Sequence, residues 1–212
     1  MDNSYADDAV LVDALRAGDE DAFCWLVDTY SGRLHRLART FVHTAAAAED
    51  VVQETWLAVI RGVAGFEGRS SLATWIYRIL TNQARRRGAR EHRSIPMSAI
   101  VGEDEPVVAF DNFYPAGHEQ AGHWSSTPTR WEKLPPEQLE ASETIDVVRS
   151  AIEELAALPR QVVVLRDVEG WSAAEVADLL EITDANQRVL LHRARACLRR
   201  AVEAHLTTTE AT

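Results

Sequence analysis

The sequence predicts an all-α protein in which two helical domains are joined by a long flexible linker. Apolar residues recur at the 3.6-residue spacing of an amphipathic helix through the first 90 residues and again from Ile145. No alternation of Val, Ile and Thr marks a strand. Six of the seven prolines lie between residues 94 and 144, where no helical period persists. We therefore expect a domain at 1–93, a linker at 94–144, a second domain at 145–206 and a tail at 207–212.

The N-terminal domain is predicted to contain three helices. The first follows an acidic start at Asp19 and carries an apolar stripe from Phe23 to Phe41. The second spans about Ala47 to Val63, and the third begins after a glycine-containing loop, where Ser70-Ser71 can cap it. The residues expected in the core are Val52, Trp56, Val59, Ile60 and Val63 on the second helix, with Leu72, Trp75, Ile76 and Ile79 on the third.

The C-terminal domain carries the pattern of a helix-turn-helix. Its first helix is expected to bury the face formed by Ile145, Val148, Ile152 and Leu155. Pro159 is expected to open the next helix and Gly170 to close it. Ser172 and Glu175 have the spacing of a capping box, in which each side chain accepts a hydrogen bond from the backbone of the other. The short helix that they start leads through a turn at 182–184 to a long helix from about Ala185 to His205.

The overall charge argues against nucleic acid as a partner, but its distribution does not. The chain of 212 residues has a formal net charge of −11, which disfavours contact with a polyanion. Residues 31–93 carry +6 and residues 186–212 carry +3, whereas 1–30, 94–144 and 145–185 carry −7, −7 and −6. Basic islands of this kind suggest local contacts with a polyanion, although solvated helix faces would give the same pattern.

Two polar helix faces have the residue types of a DNA-binding surface. On the third helix the outward residues are expected to be Thr74, Arg78, Asn82 and Arg85, flanked by Tyr77 and Thr81. Arginine for phosphates, an aromatic ring for stacking and Asn for a base edge suit an unstacked single strand. On the long C-terminal helix, Arg188, His192, Arg195 and Arg199 form a stripe beside the apolar face Leu191, Ala194 and Leu198. That stripe suits a DNA groove, and the alternative is an arginine-rich helix end favoured by the helix dipole.

A third exposed face is predicted on the second helix. It carries Asp50, Gln53, Glu54, Leu57 and Arg61. A mixed stripe with one apolar residue suits a protein partner, and a plain solvated face is equally consistent with the spacing.

Five segments of the chain resemble a known family. Residues 48–56, which read AEDVVQETW, and residues 66–82, which read FEGRSSLATWIYRILTN, resemble domain 2 of sigma-70-type RNA polymerase sigma factors. Residues 158–161 (LPRQ), 169–172 (EGWS) and 191–195 (LHRAR) are similar to domain 4 of the same family. No third domain stands between them, so the chain resembles the short extracytoplasmic-function (ECF) group.

The resemblance implies a sigma factor that binds core RNA polymerase and directs promoter-specific initiation. Its domain 2 would bind the polymerase through Asp50, Gln53, Glu54 and Leu57. The residues implied at the −10 element are Phe66, Arg69, Ser70, Thr74, Tyr77, Arg78, Asn82, Arg85 and Arg86, with the loop at 66–71 trapping a flipped base. Domain 4 would read the −35 element through Ser172, Asn186, Gln187, Arg188, His192, Arg195 and Arg199. The implied partners are core RNA polymerase, promoter DNA and an anti-sigma factor, and the chain would be cytoplasmic and monomeric when free of them.

The turn of the helix-turn-helix departs from the family pattern. Glu181 and residues 184–187 stand where the family usually has Gly and a Val-rich segment. Val189 and Leu190 stand where Arg or Ser is common. The recognition code therefore stays open, with Asn186 or Gln187 as candidate readers of adenine.

Other classes of function find little support. Cys24 and Cys197 form no zinc-binding pattern, His118 and His123 lack the spacing of metal ligands, and no catalytic or cofactor motif occurs. We therefore predict no enzyme, no metal and no cofactor. The sequence has no apolar run long enough to span a membrane and no secretory signal at its N-terminus. The alternative left open is a one-component helix-turn-helix regulator whose N-terminal half senses a ligand or dimerises.

The acidic segments prompt two hypotheses. The acidic, aromatic linker is expected to thread the basic RNA path of the polymerase, where its charge imitates nucleic acid. As an alternative to control by an anti-sigma factor, the acidic segments 1–30 or 94–144 are expected to cover the basic faces and keep the free chain off DNA.

Overall fold

The computed structural model describes residue 5, residues 7–94 and residues 142–210. The N-terminal helices are α1 (Asp8–Ala17), α2 (Glu20–Ala38), α3 (Ala45–Gly62), which a 3-10 turn follows at Val63–Gly65, and α4 (Leu72–Ser94). The later helices are α5 (Ser142–Glu154), α6 (Ala157–Val163), which continues as a π-helical turn at Val164–Val168, α7 (Ala173–Leu180) and α8 (Asp184–Glu210). No strand occurs within the described ranges, and the predicted all-α class is confirmed.

The described residues group into two compact units. One unit combines the helices up to α4 with residues 164–188, and the other combines α5 and α6 with the part of α8 that begins at Val189. The sequence, by contrast, predicts 164–188 within a C-terminal domain. Residues 95–141 of the predicted linker lie outside the described residues. The hypothesis that the linker threads the RNA path of the polymerase concerns those residues.

Side-chain caps begin the N-terminal helices. The acceptors are Asp7 Oδ1 for Ala9 N (2.8 Å), Asp19 Oδ1 for Asp21 N (2.9 Å), Thr44 Oγ1 for Ala47 N (3.1 Å) and Ser71 Oγ for Thr74 N (3.1 Å). These bonds satisfy backbone N–H groups that have no partner inside the helix. The cap on α4 agrees with prediction and comes from Ser71. Helix α1 was not predicted as a separate element, and it ends at Gly18, whose φ of +78° closes the last turn.

The core of the first unit lies where α2, α3 and α4 meet. Its buried members include Leu26, Leu34, Leu37, Val51, Val59, Leu72, Ile76, Leu80 and Ala84. A polar pair also joins α3 to α4. Thr55 Oγ1 donates to Gln83 Oε1 at 2.9 Å, and Gln83 Nε2 donates to the carbonyl of Glu54 at 3.2 Å. Packing and this pair together fix which face of α4 points away from the core.

Several residues expected in the core lie at its edge. Ile60 is 53% exposed and Ile145 is 44% exposed, so both predictions were wrong. Trp75 and Ile79 are only half-buried. The reason on α4 is that its buried face advances in steps of four, from Leu72 through Ile76 and Leu80 to Ala84, which leaves Ile79 beside the core.

The C-terminal helices differ from prediction at their ends. Pro159 is the third residue of α6, and α8 continues to Glu210 beyond the expected end at His205. Proline is tolerated there because a backbone N–H in the first turn has no partner within the helix. The predicted inner face of α8, with Leu191, Ala194 and Leu198, is buried as expected.

At Gly88, α4 lies close to the backbone of the segment after α2. A Cβ added at Gly88 would lie 2.6 Å from the backbone oxygen of Phe41, a distance that requires the backbone to move. Gly32 in α2 is the matched position, because its added Cβ would meet only the flexible end of Arg36 at 3.9 Å.

We expect opposite effects when each glycine becomes alanine. Gly88→Ala should lower the free energy of unfolding by about 1–3 kcal/mol through overpacking. Gly32→Ala should raise it by about 0.5–1 kcal/mol through helix propensity. Urea unfolding followed by circular dichroism measures both values, and a gain in stability in both variants would contradict the close approach at Phe41.

Candidate nucleic-acid and polymerase interfaces

The outer face of α3 presents the residues predicted to meet a protein. Asp50, Gln53 and Glu54 are exposed, and Leu57 is 51% exposed. Ile60, three residues further on, adds a second exposed apolar side chain to this helix. Gln53 Nε2 donates to Glu49 Oε1 at 3.0 Å and Arg87 Nη2 to Asp50 Oδ2 at 2.9 Å. The face therefore combines apolar side chains with a polar rim, which is the composition of a protein-binding patch.

The loop at 66–71 lies between the 3-10 turn and α4. The ring of Phe66 packs against Trp75 with 5.2 Å between ring centroids. Gly68 has a φ of +70°, a conformation that side chains rarely adopt. Arg69 is exposed and its Nε lies 3.0 Å from Glu67 Oε2. The loop therefore projects a cation beside a tight turn at the start of α4.

The outward face of α4 holds most of the predicted cations. Arg78, Asn82 and Arg86 are exposed, and Thr74 and Arg85 are half-buried. Tyr77 and Thr81, which were expected to flank this face, are instead 1% exposed. Thr81 Oγ1 donates back to the carbonyl of Tyr77 at 2.8 Å. The expectation of an outward tyrosine is therefore wrong for this structure.

Glu169 explains the burial of Tyr77. Its carboxylate is 1% exposed and accepts from Arg36, with Nε at 3.0 Å and Nη2 at 2.8 Å from Oε1. Arg33 Nε lies 3.6 Å from Oε2, and the Tyr77 hydroxyl donates to the same oxygen at 3.4 Å. Burial, followed by the charge of Glu169, raises the pKa of Tyr77 above its usual range. The phenol therefore stays protonated and remains a donor to the carboxylate.

Trp171 packs on the same tyrosine from the same segment. The ring centroids of Tyr77 and Trp171 are 4.7 Å apart with an interplanar angle of 51°. A side-chain carboxylate and an aromatic ring thus lie together against α2 and α4. The carboxylate carries a negative charge, as a phosphate does, and the indole ring is flat and aromatic, as a base is.

Two further carboxylates from residues 164–188 meet the arginines of α4. Arg78 is paired with Asp178 on α7. Arg85 Nη1 lies 2.8 Å from Glu181 Oε1, and its Nη2 donates to the carbonyl of Leu180 at 2.9 Å. Asp178 and Glu181 therefore cover cations that the sequence assigns to DNA, while Glu169 accepts from Tyr77, which the sequence also assigns to DNA.

Glu181 is held in an unusual backbone conformation. Its φ is +58°. Among the described residues, no other residue except glycine has a positive φ. The backbone N–H of this residue caps α7 by donating towards Ala177 and Asp178. Glycine is the usual residue at such a cap because it has no Cβ to strain. A glycine here would make the same backbone cap, but it would lack the carboxylate that faces Arg85.

The helix-turn-helix has the predicted order of a short helix, a turn and a long helix. Ser172 and Glu175 form the expected capping box, with N–H to oxygen distances of 2.9 and 3.3 Å. Hydrogen bonds from the side chain and backbone of Ser172 lower the pKa of Glu175. Thr183 Oγ1 accepts from Asn186 N at 3.2 Å and so caps α8.

The predicted −35 residues on α8 divide into exposed and buried groups. Asn186, Arg188, His192 and Arg195 are exposed, whereas Arg199 is half-buried. Gln187 is 1% exposed, and neither polar atom of its side chain has a hydrogen-bond partner. Gln187 therefore does not present its amide to a base edge in this structure, because this position faces inward on the first turn of α8.

The acids at 169–181 are the functional candidates that sequence reasoning missed. The signal was the net charge of −6 over residues 145–185, which is opposite in sign to the +6 of residues 31–93. The hypothesis of acidic cover named 1–30 and 94–144 instead. The ion pairs join residues about 100 positions apart in the sequence. Helical periodicity gives no information on contacts at that separation, so only the folded structure reveals them.

The described residues contain no group of three or more His, Cys, Asp or Glu that could hold a metal ion. Within the same ranges, no helix combines the length and the apolarity that crossing a membrane requires.

Two family models match the chain in the predicted order. Sigma-70 region 2 matches residues 26–94, and sigma-70 region 4 matches residues 145–198. Together they cover more than half of the chain. The chain belongs to the sigma-70 family. The resemblance seen in the sequence is confirmed, and the N-terminal half is region 2 rather than the sensor of a one-component regulator.

Curated relatives include members of the ECF group. The chain is 29% identical to the RNA polymerase sigma-H factor of Pseudomonas aeruginosa over 196 residues, which cover 92% of this chain and 94% of the relative. It is 29% identical to the ECF RNA polymerase sigma-E factor of Escherichia coli K12 over 197 residues, with the same coverage. Among solved structures, CnrH in complex with the cytosolic domain of CnrY has a TM-score of 0.56, at 21% identity over 93% of this chain and 97% of that chain. This last likeness shows that the two chains share a fold.

Glu181 provides a test of backbone strain in this sigma factor. Glu181→Gly and Glu181→Ala both remove the carboxylate that faces Arg85, but only glycine relieves the positive φ. We expect Glu181→Gly to be more stable than Glu181→Ala by roughly 1 kcal/mol. Thermal and urea unfolding measure the difference, and equal stability of the two variants would contradict a left-handed residue at this position.

Proposed function

We propose that this chain binds core RNA polymerase and directs promoter-specific initiation by reading a −35 and a −10 element. The observation that supports this most is the order of its parts within one chain. Region 2, with the exposed face of α3 and the arginines of α4, precedes region 4, with a capped helix-turn-helix and the exposed Arg188, His192 and Arg195.

Three surfaces divide the work in this proposal. The face of α3 with Asp50, Gln53, Glu54 and Leu57 binds the polymerase. The loop at 66–71 traps a base flipped from the −10 strand, with Asn82 at its edge and Arg78, Arg85 and Arg86 on the backbone. Asn186, Arg188, His192 and Arg195 enter the major groove at the −35 element, with Arg199 on the backbone. Strand separation needs no chemistry, because binding an unstacked base offsets the few kcal/mol that unpairing costs.

The domains proposed for these tasks are 1–93 and 145–206, connected by 94–144 and followed by the tail at 207–212. Both read DNA while attached to one polymerase, so the second contact is intramolecular and each contact can be weak alone. The protein acts as a non-catalytic initiation factor in the bacterial cytoplasm, where its polymerase works. In the ECF group such a factor is commonly held by an anti-sigma factor, and we assign this chain the same kind of partner.

The free chain is proposed to be a conditional DNA binder. Asp178 and Glu181 pair with Arg78 and Arg85, which we assign to the −10 strand. Glu169 pairs with Arg36 and also accepts from Tyr77, which the sequence assigns to the same strand. DNA and these carboxylates compete for the same cations. The polymerase complex favours DNA because it brings many phosphates close at once.

Transcription with purified core polymerase tests the function. We expect this chain to give a discrete start on a promoter from its own genome, and no specific start from core alone. Arg188→Ala and Arg195→Ala should each weaken −35 binding by about 1–3 kcal/mol and relax base specificity, whereas Arg199→Ala should lower the slope of log affinity against log salt by about 1. Arg149→Ala is the matched control, because Arg149 is exposed on α5 and pairs with Asp146 at 3.0 Å.

Absence of any specific start on all genomic templates would contradict the proposed function. A duplex shifted equally well by the chain without polymerase would favour the one-component regulator instead.

Charge removal tests the conditional binding. Asp178→Asn with Glu181→Gln removes two carboxylates that face Arg78 and Arg85 while keeping the side-chain shapes. Exposed ion pairs contribute about 0.2–1 kcal/mol each, so the free double variant should bind a −10 single strand between roughly twofold and thirtyfold more tightly. Fluorescence anisotropy of a labelled oligonucleotide measures this.

The control changes the net charge equally at another place. Glu143→Gln with Asp146→Asn neutralises two acids of α5 and should leave the affinity nearly unchanged. An equal gain in both double variants would mean that only net charge, and not local cover, limits binding.

A further inference from the structure

Helix α1 contacts both ends of the loop at 66–71. At the first end, Arg16 Nη2 donates to the carbonyl of Phe66 at 2.5 Å, and Arg16 Nε donates to the carbonyl of Val63 at 3.4 Å. At the other end, Asp8 Oδ2 accepts from the backbone N–H of Leu72 at 2.7 Å. The two ends of one short helix therefore hold the two stems of one loop.

The interior of the loop is separated from α1 by an open cleft. The cleft has a volume of about 920 Å³, and α1 lines one side of it while residues 64–68 with Ser70 and Ser71 line the other. Close packing does not shape the loop there. The bonds made by Arg16 and Asp8 are consequently the main constraints that α1 places on its conformation.

The geometry suits a spacer of fixed length. Asp8 and Arg16 are eight residues apart, which is about 12 Å along a helix axis. An α-helix of that length is stiff, so the distance between the stems is set by α1 rather than by the loop. Arginine matches the task because its planar guanidinium can donate to two carbonyls from different nitrogens, as it does here to Val63 and Phe66.

We propose that α1 is a positioning helix for promoter recognition, and that Arg16 and Asp8 set the shape of the loop that selects the −10 base. The inference rests on the proposed role of that loop. It goes beyond the region 2 match, which begins at residue 26 and does not include α1. Arg16 and Asp8 touch no base themselves and act through the backbone of Val63, Phe66 and Leu72.

The test measures base selectivity in the polymerase complex. Holoenzyme is assembled from core polymerase and each variant, and open-complex formation is timed on promoters that carry each of the four bases at every −10 position. The quantity of interest is the ratio of rates for the preferred and least preferred bases. Arg16→Ala and Asp8→Ala should lower this ratio between roughly threefold and a hundredfold, since a displacement of about 1 Å can cost about a hundredfold.

Two control variants change α1 but keep its hydrogen bonds to the loop stems. Asp8→Asn keeps an oxygen that accepts from Leu72 N–H, so it should retain the ratio within about twofold. Asp13→Ala removes the partner that Arg16 Nη1 meets at 3.4 Å on α1 itself and leaves both carbonyl bonds, so it should also retain the ratio.

A loop variant separates this inference from the function on which it rests. Arg69→Ala with Ser70→Ala alters the loop directly and should lower the ratio if the loop reads the base. A loss of ratio in that variant, but not in Arg16→Ala and Asp8→Ala, would overturn the role of α1 alone. Equal slowing on all promoters with an unchanged ratio would mean that α1 only supports the fold. No change of ratio even in the loop variant would overturn both proposals.

Discussion

The orientation of α4 is the constraint on which the other features of the first unit depend. Leu72, Ile76 and Leu80 are buried, and each buried apolar side chain contributes on the order of 2 kcal/mol. The hydrogen bond from Thr55 to Gln83 also restricts rotation of α4 about its own axis. Because one face is fixed in the core, Arg78 and Arg85 have to point away from it. A row of cations held in this way binds whichever anion comes within reach.

Carboxylates and phosphates are the two anions that compete for this row. The ion pairs of Arg78 and Arg85 are partly exposed, and pairs of that kind contribute little to stability. Glu169 differs because its carboxylate is desolvated between Arg36 and Tyr77. In the proposed conditional binding, several phosphates together displace these weak outer contacts around one buried carboxylate. The left-handed Glu181 fits this reading, since strain at a non-glycine residue persists where its side chain has a use.

The sequence predicted what depends on local pattern. The helical class, the caps of Ser71 and Ser172, the apolar face of α8 and the family all follow from spacing or motif. Burial of Ile60 and Ile145 was mispredicted, and Ile79 is only half-buried, because an apolar stripe is wider than the strip that another helix covers. The inward Tyr77 and its contact with Glu169 depend on residues about 90 positions apart, and neither periodicity nor charge counts can pair them. The role of each predicted DNA-binding residue stays a prediction.

The effect of the net charge of −11 on DNA binding depends on the distance between the chain and the DNA. At physiological salt the Debye length is about 8 Å, so a DNA molecule farther away experiences little of any single charge. On close approach it meets the local pattern, +6 over residues 31–93 and +3 from residue 186, beside acidic segments that repel it. An unassisted encounter therefore meets acidic segments as well as basic ones, and the negative net charge makes the average interaction repulsive. In the proposed complex, polymerase holds phosphates within the screening distance of the basic faces, where they displace the carboxylates of Asp178 and Glu181. A net charge of −11 is thus compatible with a DNA-binding protein whose binding is conditional on a partner.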